Sequence, residues 1–396
     1  MQPSDARIRT ALLWADELAQ YRFTEEHPLN PRRLELTLAL IRELDLVDDT
    51  HRIVEPRTAS EDEVLTVHAA EYVAAVRRAS AGDASPSLRQ FGLGSDDVPI
   101  VPGMHEAALR ICGATLTGAE LIASGAVQRA FSIAGGLHHA RHAQAAGFCI
   151  YNDLAVAARF LRERHDMRVL IVDIDAHHGD GTQALFYEDP DVLTLSLHES
   201  GAFLYPGTGF IDELGAGDGY GCSVNVPLDP HSGDASYMHA LNELLPPMAE
   251  AFAPDVILLQ AGCDAHLLDP LTHLRCTTSL YENAVRLTCD VSDQHCGGRV
   301  LVTGGGGYAV HTVVPRAWTL VWSALCGIDA PDALPDAWLR MVRQETNEDV
   351  PRMLRDKGDM VSSTSHAEDA EAMNRRTVDA VRRRALPLIT GWGLGF

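Results

Sequence analysis

The feature that most constrains this fold is a repeated one: short apolar runs of buried-strand length, each ending in glycine, histidine or aspartate. Residues 130–134 run into Gly135-Gly136-Leu137-His138-His139, and residues 256–261 run into Gly262-Cys263-Asp264. Residues 300–303 lead into the four glycines 304–307 and Tyr308. Residues 168–175 end on Asp173 and Asp175, with His177, His178 and Asp180 directly behind them. Segments of helical period lie between the runs, at 151–164, 236–252 and 279–293 among others. Strands apolar on both faces that alternate with helices predict a three-layer α/β/α domain around a mostly parallel sheet. Open sheets of this kind place their active sites at the carboxyl ends of the strands, which is where the polar clusters fall.

The 168–180 stretch carries the sharpest chemistry. Five ionisable side chains at the end of a buried strand resist desolvation unless a cation or a hydrogen-bonding partner holds each one. In an extended chain Asp173, Asp175 and His177 share a face, while Ile174 and Ala176 point away. With Asp264 from the 256–261 run, Asp175 and His177 make a candidate metal site of two carboxylates and one imidazole. Such a set suits zinc or iron(II) and leaves positions open for water and substrate. The adjacent His138 and His139 diverge, so each can take a carboxylate partner, with Asp173 and Asp180 available, and can serve as general base and acid. Tyr308, at the mouth of the glycine run, can hydrogen-bond an oxyanion. The glycines are followed by no Lys-Ser or Lys-Thr, so they do not make a Walker phosphate loop.

Composition narrows the partners. The 396 residues carry a formal charge of −23, which repels nucleic acid and anionic membrane and favours basic partners only in a general way. The eight cysteines are scattered and never form Cys-x-x-Cys, which predicts free thiols in a reducing, cytoplasmic setting and no thiolate zinc site. The apolar run at 11–14 has acidic residues on both sides and lacks the basic region of a signal peptide, and no segment has the length of a membrane span. No composition break divides residues 1–330, read here as one catalytic domain. Residues 331–396 read as an extension that packs on that domain or trails from it. Within it, 345–372 is charged and serine-rich, as a surface or partly ordered segment would be, and 386–396 is apolar enough to dock back.

Several ordered motifs carry a resemblance over roughly residues 11–325. They are His-Pro-Leu-Asn-Pro-Arg-Arg from His27, Asp-Asp-Val-Pro-Ile-Val-Pro-Gly-Met-His-Glu from Asp96 and Gly-Gly-Leu-His-His-Ala from Gly135. Gly-Phe-Cys-Ile-Tyr-Asn-Asp follows from Gly147, Val-Asp-Ile-Asp-Ala-His-His-Gly-Asp-Gly from Val172 and Ser-Leu-His from Ser196. Tyr-Pro-Gly-Thr-Gly from Tyr205, Gly-Cys-Asp-Ala-His from Gly262 and Gly-Gly-Gly-Gly-Tyr from Gly304 complete the set. The chain resembles the histone deacetylase superfamily of zinc-dependent deacetylases, and within it the bacterial acetoin-utilisation deacetylases.

The resemblance implies that Asp175, His177 and Asp264 bind the metal, the same three chosen from the residues alone. It implies that His138 and His139 are the base and acid paired with Asp173 and Asp180, and that Tyr308 binds the acetyl oxygen. For the substrate it implies a rim aspartate at Asp97, tunnel walls at Phe148 and Tyr205 with Gly147 and Leu271 beside them, and Arg33 on a channel beneath the metal. It also implies a structural potassium ion held by the Asp173 side chain, Ser196 and backbone oxygens of Asp175, His177 and Leu197. The implied reaction is hydrolysis of N6-acetyl-lysine on a protein, which in the resembling bacterial family is associated with acetylated acetyl-CoA synthetase. An acetylpolyamine amidohydrolase acting on small acetylated amines is the enzymatic alternative, and an acetyl-lysine binding module the non-enzymatic one. Tyr205 stands where eukaryotic members usually have Phe, and Leu137 where many have Trp. Oligomeric state is not legible in the sequence.

Overall fold

The apolar runs form the strands of a single sheet. The computed structural model describes residues 9–357 and 365–392. Its strands are β1 (Thr10–Leu13), β2 (His51–Val54), β3 (Arg129–Ser132), β4 (Val169–Asp173), β5 (Val192–Glu199), β6 (Ser223–Leu228), β7 (Val256–Gln260) and β8 (Val300–Thr303). They lie in the order β2-β1-β3-β8-β7-β4-β5-β6. All the pairings are parallel, so the expected mostly parallel sheet is a wholly parallel one.

β4, β5 and β7 are buried at every residue, as parallel strands covered on both faces must be. β2 differs, being half-buried throughout and lying at the sheet edge, and its His-Arg-Ile-Val sequence gave no apolar signal.

The helices are α1 (Arg32–Glu43), α2 (Glu61–Val64), α3 (Ala70–Ser80), α4 (Met104–Ala123), α5 (Asp153–His165), α6 (Asp180–Leu185), α7 (Asp234–Phe252), α8 (Thr278–His295), α9 (Val314–Cys326), α10 (Asp336–Arg343) and α11 (Ser365–Trp392). Mutual contacts group α1, α9, α8, α7 and α11 into one outer layer, and α3, α4, α5 and α6 into the other. Local chemistry fixes several starts. Ser60 and Glu63 form a reciprocal capping box on α2, and the Asn152 side chain accepts the Ala155 N–H at the head of α5.

The segment 345–372 divides into three parts. Residues 345–357 are a loop, 358–364 lie outside the described residues, and α11 begins at Ser365. The charged, serine-rich stretch 345–372 thus includes the first turns of a helix. α11 packs on α7 and on edge strand β6 through Asn374, Val378, Val381, Ala385 and Ile389, a stripe at helical spacing that the surrounding charges hid. Of the apolar stretch 386–396, residues 393–396 lie outside the described residues. All eight cysteines are free. No helix among the described residues is long and apolar enough to cross a membrane.

Candidate active site

The central β3-β8-β7-β4 strands deliver the polar clusters to one edge of the sheet. β4 ends at Asp173, two residues before Asp175, so the expected strand alternation does not bring the acidic groups together. Beyond it, the Asp175 N–H donates to Asp173 Oδ1 (3.1 Å) and the His177 N–H donates to Asp175 Oδ1 (3.0 Å). These side-chain bonds to the backbone two residues ahead turn the chain in place of a strand ladder. Asp175 and His177 converge by that turn, while Asp173 is directed to His138.

One ligand atom from each of Asp175, His177 and Asp264 lies within 4.8 Å of the others, and all three residues are buried. His177 Nδ1 is 2.9 Å from Asp264 Oδ2 and 3.2 Å from Asp175 Oδ1. The opposite carboxylate oxygens are already occupied. Asp264 Oδ1 accepts the Ala176 N–H (2.8 Å), and Asp175 Oδ2 accepts the Gly306 N–H and Gln260 Nε2, both at 2.8 Å. A side chain at Gly306 would collide with the Asp264 carboxylate. Burial, followed by the neighbouring Asp175 charge, lifts the Asp264 carboxyl to about 6. Burial opposes a charged His177, but the two carboxylates outweigh it and lift the ring to about 10. Two buried carboxylates facing one imidazole have an excess of negative charge that a divalent cation neutralises. The donor set therefore fits zinc or iron(II).

Behind the triad stand two carboxylate–imidazole pairs. His138 Nδ1 donates to Asp173 Oδ2 (2.7 Å) and His139 Nδ1 to Asp180 Oδ1 (2.7 Å), which leaves both Nε2 atoms facing each other at 3.1 Å. Asp180 Oδ2 is held by Arg141 through Nε (3.0 Å) and Nη2 (2.5 Å). For Asp180 burial works against ionisation, but the bonds from His139 and Arg141 prevail and hold its carboxyl well below the usual range.

A cavity of about 210 Å³ opens from these groups to the surface. Asp97, Gly147, Phe148, Leu204, Tyr205 and Leu271 line it, and His139, His177 and Tyr308 are at its inner end. Tyr205 is 47% exposed, so the wall on its side is open to solvent. Gly147 has φ +52°, and a Cβ there would strike the His139 ring. Its N–H donates to Asp97 Oδ2 (2.7 Å), so one residue lining the cavity tethers another. Phe148 meets Tyr308 edge to face, with ring centroids 5.7 Å apart. Arg33 is buried, stacks over Trp318 and donates to the Gly307 carbonyl (2.8 Å), directly before Tyr308. Asp173 and Ser196 are register partners in β4 and β5, and both line a small void of about 10 Å³; Leu197 follows, fully buried.

Several supporting residues were not singled out from the sequence. Asp153 accepts the Gly136 N–H (3.0 Å), the Leu137 N–H (2.8 Å) and the Thr115 hydroxyl (2.6 Å), and so fixes the backbone that leads into His138. Asp269 accepts the Tyr308 N–H (2.7 Å). His27 packs edge to face on Phe148 and lies 3.3 Å from the Asp97 carbonyl. His27 and Asp153 fall in the quoted motifs, whereas Asp269 lies outside all of them and left no sequence signal.

This fold and edge are those of a known enzyme class. A family model described as the histone deacetylase domain matches residues 27–325, and the chain belongs to that family, whose members are metal-dependent deacetylases. Among curated relatives it is 42% identical to the acetoin utilization protein AcuC of Bacillus subtilis (strain 168), over 93% of this chain and 95% of that one. It is 41% identical to AcuC of Staphylococcus xylosus, over 85% and 88%. Among solved structures, a histone deacetylase homologue from Aquifex aeolicus superposes with a TM-score of 0.82 at 30% identity, covering 93% of this chain and all of that one. A histone deacetylase homologue complexed with SAHA superposes with a TM-score of 0.82 at 29% identity.

Proposed function

We propose that this deacetylase hydrolyses N6-acetyl-lysine on a protein substrate, with Asp175, His177 and Asp264 holding zinc(II) or iron(II). The observation that carries the reading is the 210 Å³ cavity, which has Phe148, Leu204 and Leu271 on its walls and Tyr308, His139 and His177 at its end. Its apolar walls suit the methylene stem of a lysine side chain, and its inner end suits the amide. When bound, the metal would supply Lewis acidity to the amide carbonyl and to water.

The chain's own residues supply the proton chemistry and the positioning. His139 Nε2 takes the proton from the attacking water, and Asp180 fixes the ring's tautomer through Nδ1. His138, paired with Asp173, contributes a positive field and a proton for the leaving lysine amine. The Tyr308 hydroxyl stays protonated, because burial pushes its pKa far up, and it donates to the developing oxyanion. Asp97 grips the substrate backbone at the rim. A potassium ion held by Asp173, Ser196 and the carbonyls of Asp175, His177 and Leu197 would stiffen the β4 end. Acetylated acetyl-CoA synthetase is a candidate substrate.

The test is acetate release from an acetyl-lysine peptide by protein stripped of metal and reloaded with zinc or iron(II), with acetylputrescine in parallel. Metal-restored turnover of the peptide supports the proposal. Turnover of acetylputrescine alone would make this a small-amine amidohydrolase, and binding of the peptide without turnover would make it a recognition module.

A further inference from the structure

The loop that carries Asp264 is pinned from the far end of the chain. His266, two residues beyond Asp264, is fully buried. Its Nδ1 accepts the Leu268 N–H (3.1 Å), so the ring proton sits on Nε2, which donates to Asp356 Oδ2 at 2.8 Å. The same oxygen accepts the Thr278 N–H in the first turn of α8 (2.9 Å). Asp356 Oδ1 accepts from Arg316 Nη1 (2.8 Å), a guanidinium with no exposed surface in α9. One carboxylate from the loop between α10 and α11 thus joins the metal loop to two helices. An ionic hub buried this deeply is weak evidence of stabilisation alone, since an apolar replacement often does as well.

The metal loop passes this constraint on. The Asp269 N–H donates to the His266 carbonyl (2.8 Å), and the Asp269 carboxylate accepts the Leu271 N–H (3.0 Å) and the Tyr308 N–H (2.7 Å). Tyr308 needs such an anchor. It follows glycines at φ +150° (Gly305) and +138° (Gly307), whose placement comes from outside groups, Asp175 on the Gly306 N–H and Arg33 on the Gly307 carbonyl, while Asp269 holds the Tyr308 N–H itself. Its hydroxyl must nevertheless meet an oxyanion within a few tenths of an ångström.

We propose that Asp356 is a positioning residue for Tyr308, acting through His266 and Asp269. The inference rests on the reading of Tyr308 as the oxyanion donor. It makes the segment around residue 356 part of the catalytic apparatus without contact to substrate or metal.

The test is a double-mutant cycle in the full chain, comparing Asp356→Asn, Tyr308→Phe and the double variant. Acetyl-lysine peptide turnover, bound metal and thermal melting are followed in each. Asp356→Asn is expected to lower kcat by roughly tenfold or more, as a misplaced catalytic group does, with KM and metal content within about twofold of the parent. In the Tyr308→Phe background the same change is expected to lower kcat by less than about twofold, because the two act as a unit. Equal fold losses in both backgrounds, or a loss carried by KM or by metal release, would overturn the proposal. Unimpaired turnover in Tyr308→Phe would instead overturn the reading beneath it. Should Asp356→Asn fail to fold, His266→Gln and His266→Ala give the same information. The Gln amide can still donate to Asp356, so Gln is expected to retain the turnover that Ala loses, and equal losses in both would count against the relay.

Discussion

His138 and His139 are neighbours in the chain and their Nε2 atoms are 3.1 Å apart, yet their surroundings shift the two rings in opposite directions. Burial works against a charge on His138, but Asp173 and Asp175 outweigh it and lift the ring to about 9. For His139 burial and the adjacent positive His138 outweigh Asp180, and the ring falls to about 4. Near neutrality one imidazole is therefore suited to accept a proton and the other to hold or give one up, a division of labour common where two titratable groups share a site.

If His139 is the base, His139→Ala keeps its metal and loses roughly 10²- to 10⁴-fold in kcat. Acetate release measured beside metal content by elemental analysis checks both halves. Near-normal turnover would move the base elsewhere.

The pH profile follows from the same pair. A base that stays neutral down to about 4 places the acid limb of kcat/KM below the ordinary histidine value, with activity falling as protons are taken up. Arg141→Gln removes the cation on Asp180 Oδ2, so the full carboxylate charge acts on His139 and favours the imidazolium. The acid limb should then move to higher pH. A limb that stays put or moves down would exclude Arg141 from setting it.

If Asp175, His177 and Asp264 hold the cation, Asp264→Asn removes one of the two buried charges that would neutralise it. The variant should lose metal on dialysis, and its melting temperature should no longer rise when zinc is added, as that of the parent does through binding to the folded state. Equal zinc-induced shifts in both proteins would count against Asp264 as a ligand.

Asp153 makes a prediction about the backbone. Asp153→Ala strands the Gly136 and Leu137 N–H groups in a buried site, while Thr115 can turn its hydroxyl to Ser132, and should destabilise the protein by roughly 3 kcal/mol in denaturant unfolding. A loss under about 1 kcal/mol would mean that water replaces the carboxylate.

The candidate metal triad could be picked out because Asp175, His177 and Asp264 lie just past the ends of apolar runs, and β4, β5, β7 and β8 were legible as the runs themselves. β2 escaped because a half-buried edge strand needs no apolar sequence. Asp153, Asp269 and Asp356 escaped for another reason. Each is an ionisable residue with at least one partner more than fifteen positions away, and no local pattern records such pairings. α11 lay between the two cases, since its apolar stripe was present but sat among arginines and glutamates that read as solvated surface.

The sheet order has a consequence for how the protein comes into being. The site spans β3, β8, β7 and β4, so that His138 and Tyr308 belong to adjacent strand ends although the chain between them runs out to the β6 edge and back. The stretch 173–180 carries two of the three candidate ligands, but the third, Asp264, and Tyr308 come from segments about 90 and 130 residues further on. During synthesis the ribosome releases β3 and β4 long before β7 and β8, and a nascent chain can neither capture its cation nor act on an amide. Topologies dominated by such distant pairings fold slowly. The emergence of metal binding during refolding should therefore coincide with the pairing of β7 on β4, which makes the ion a reporter of that long-range contact.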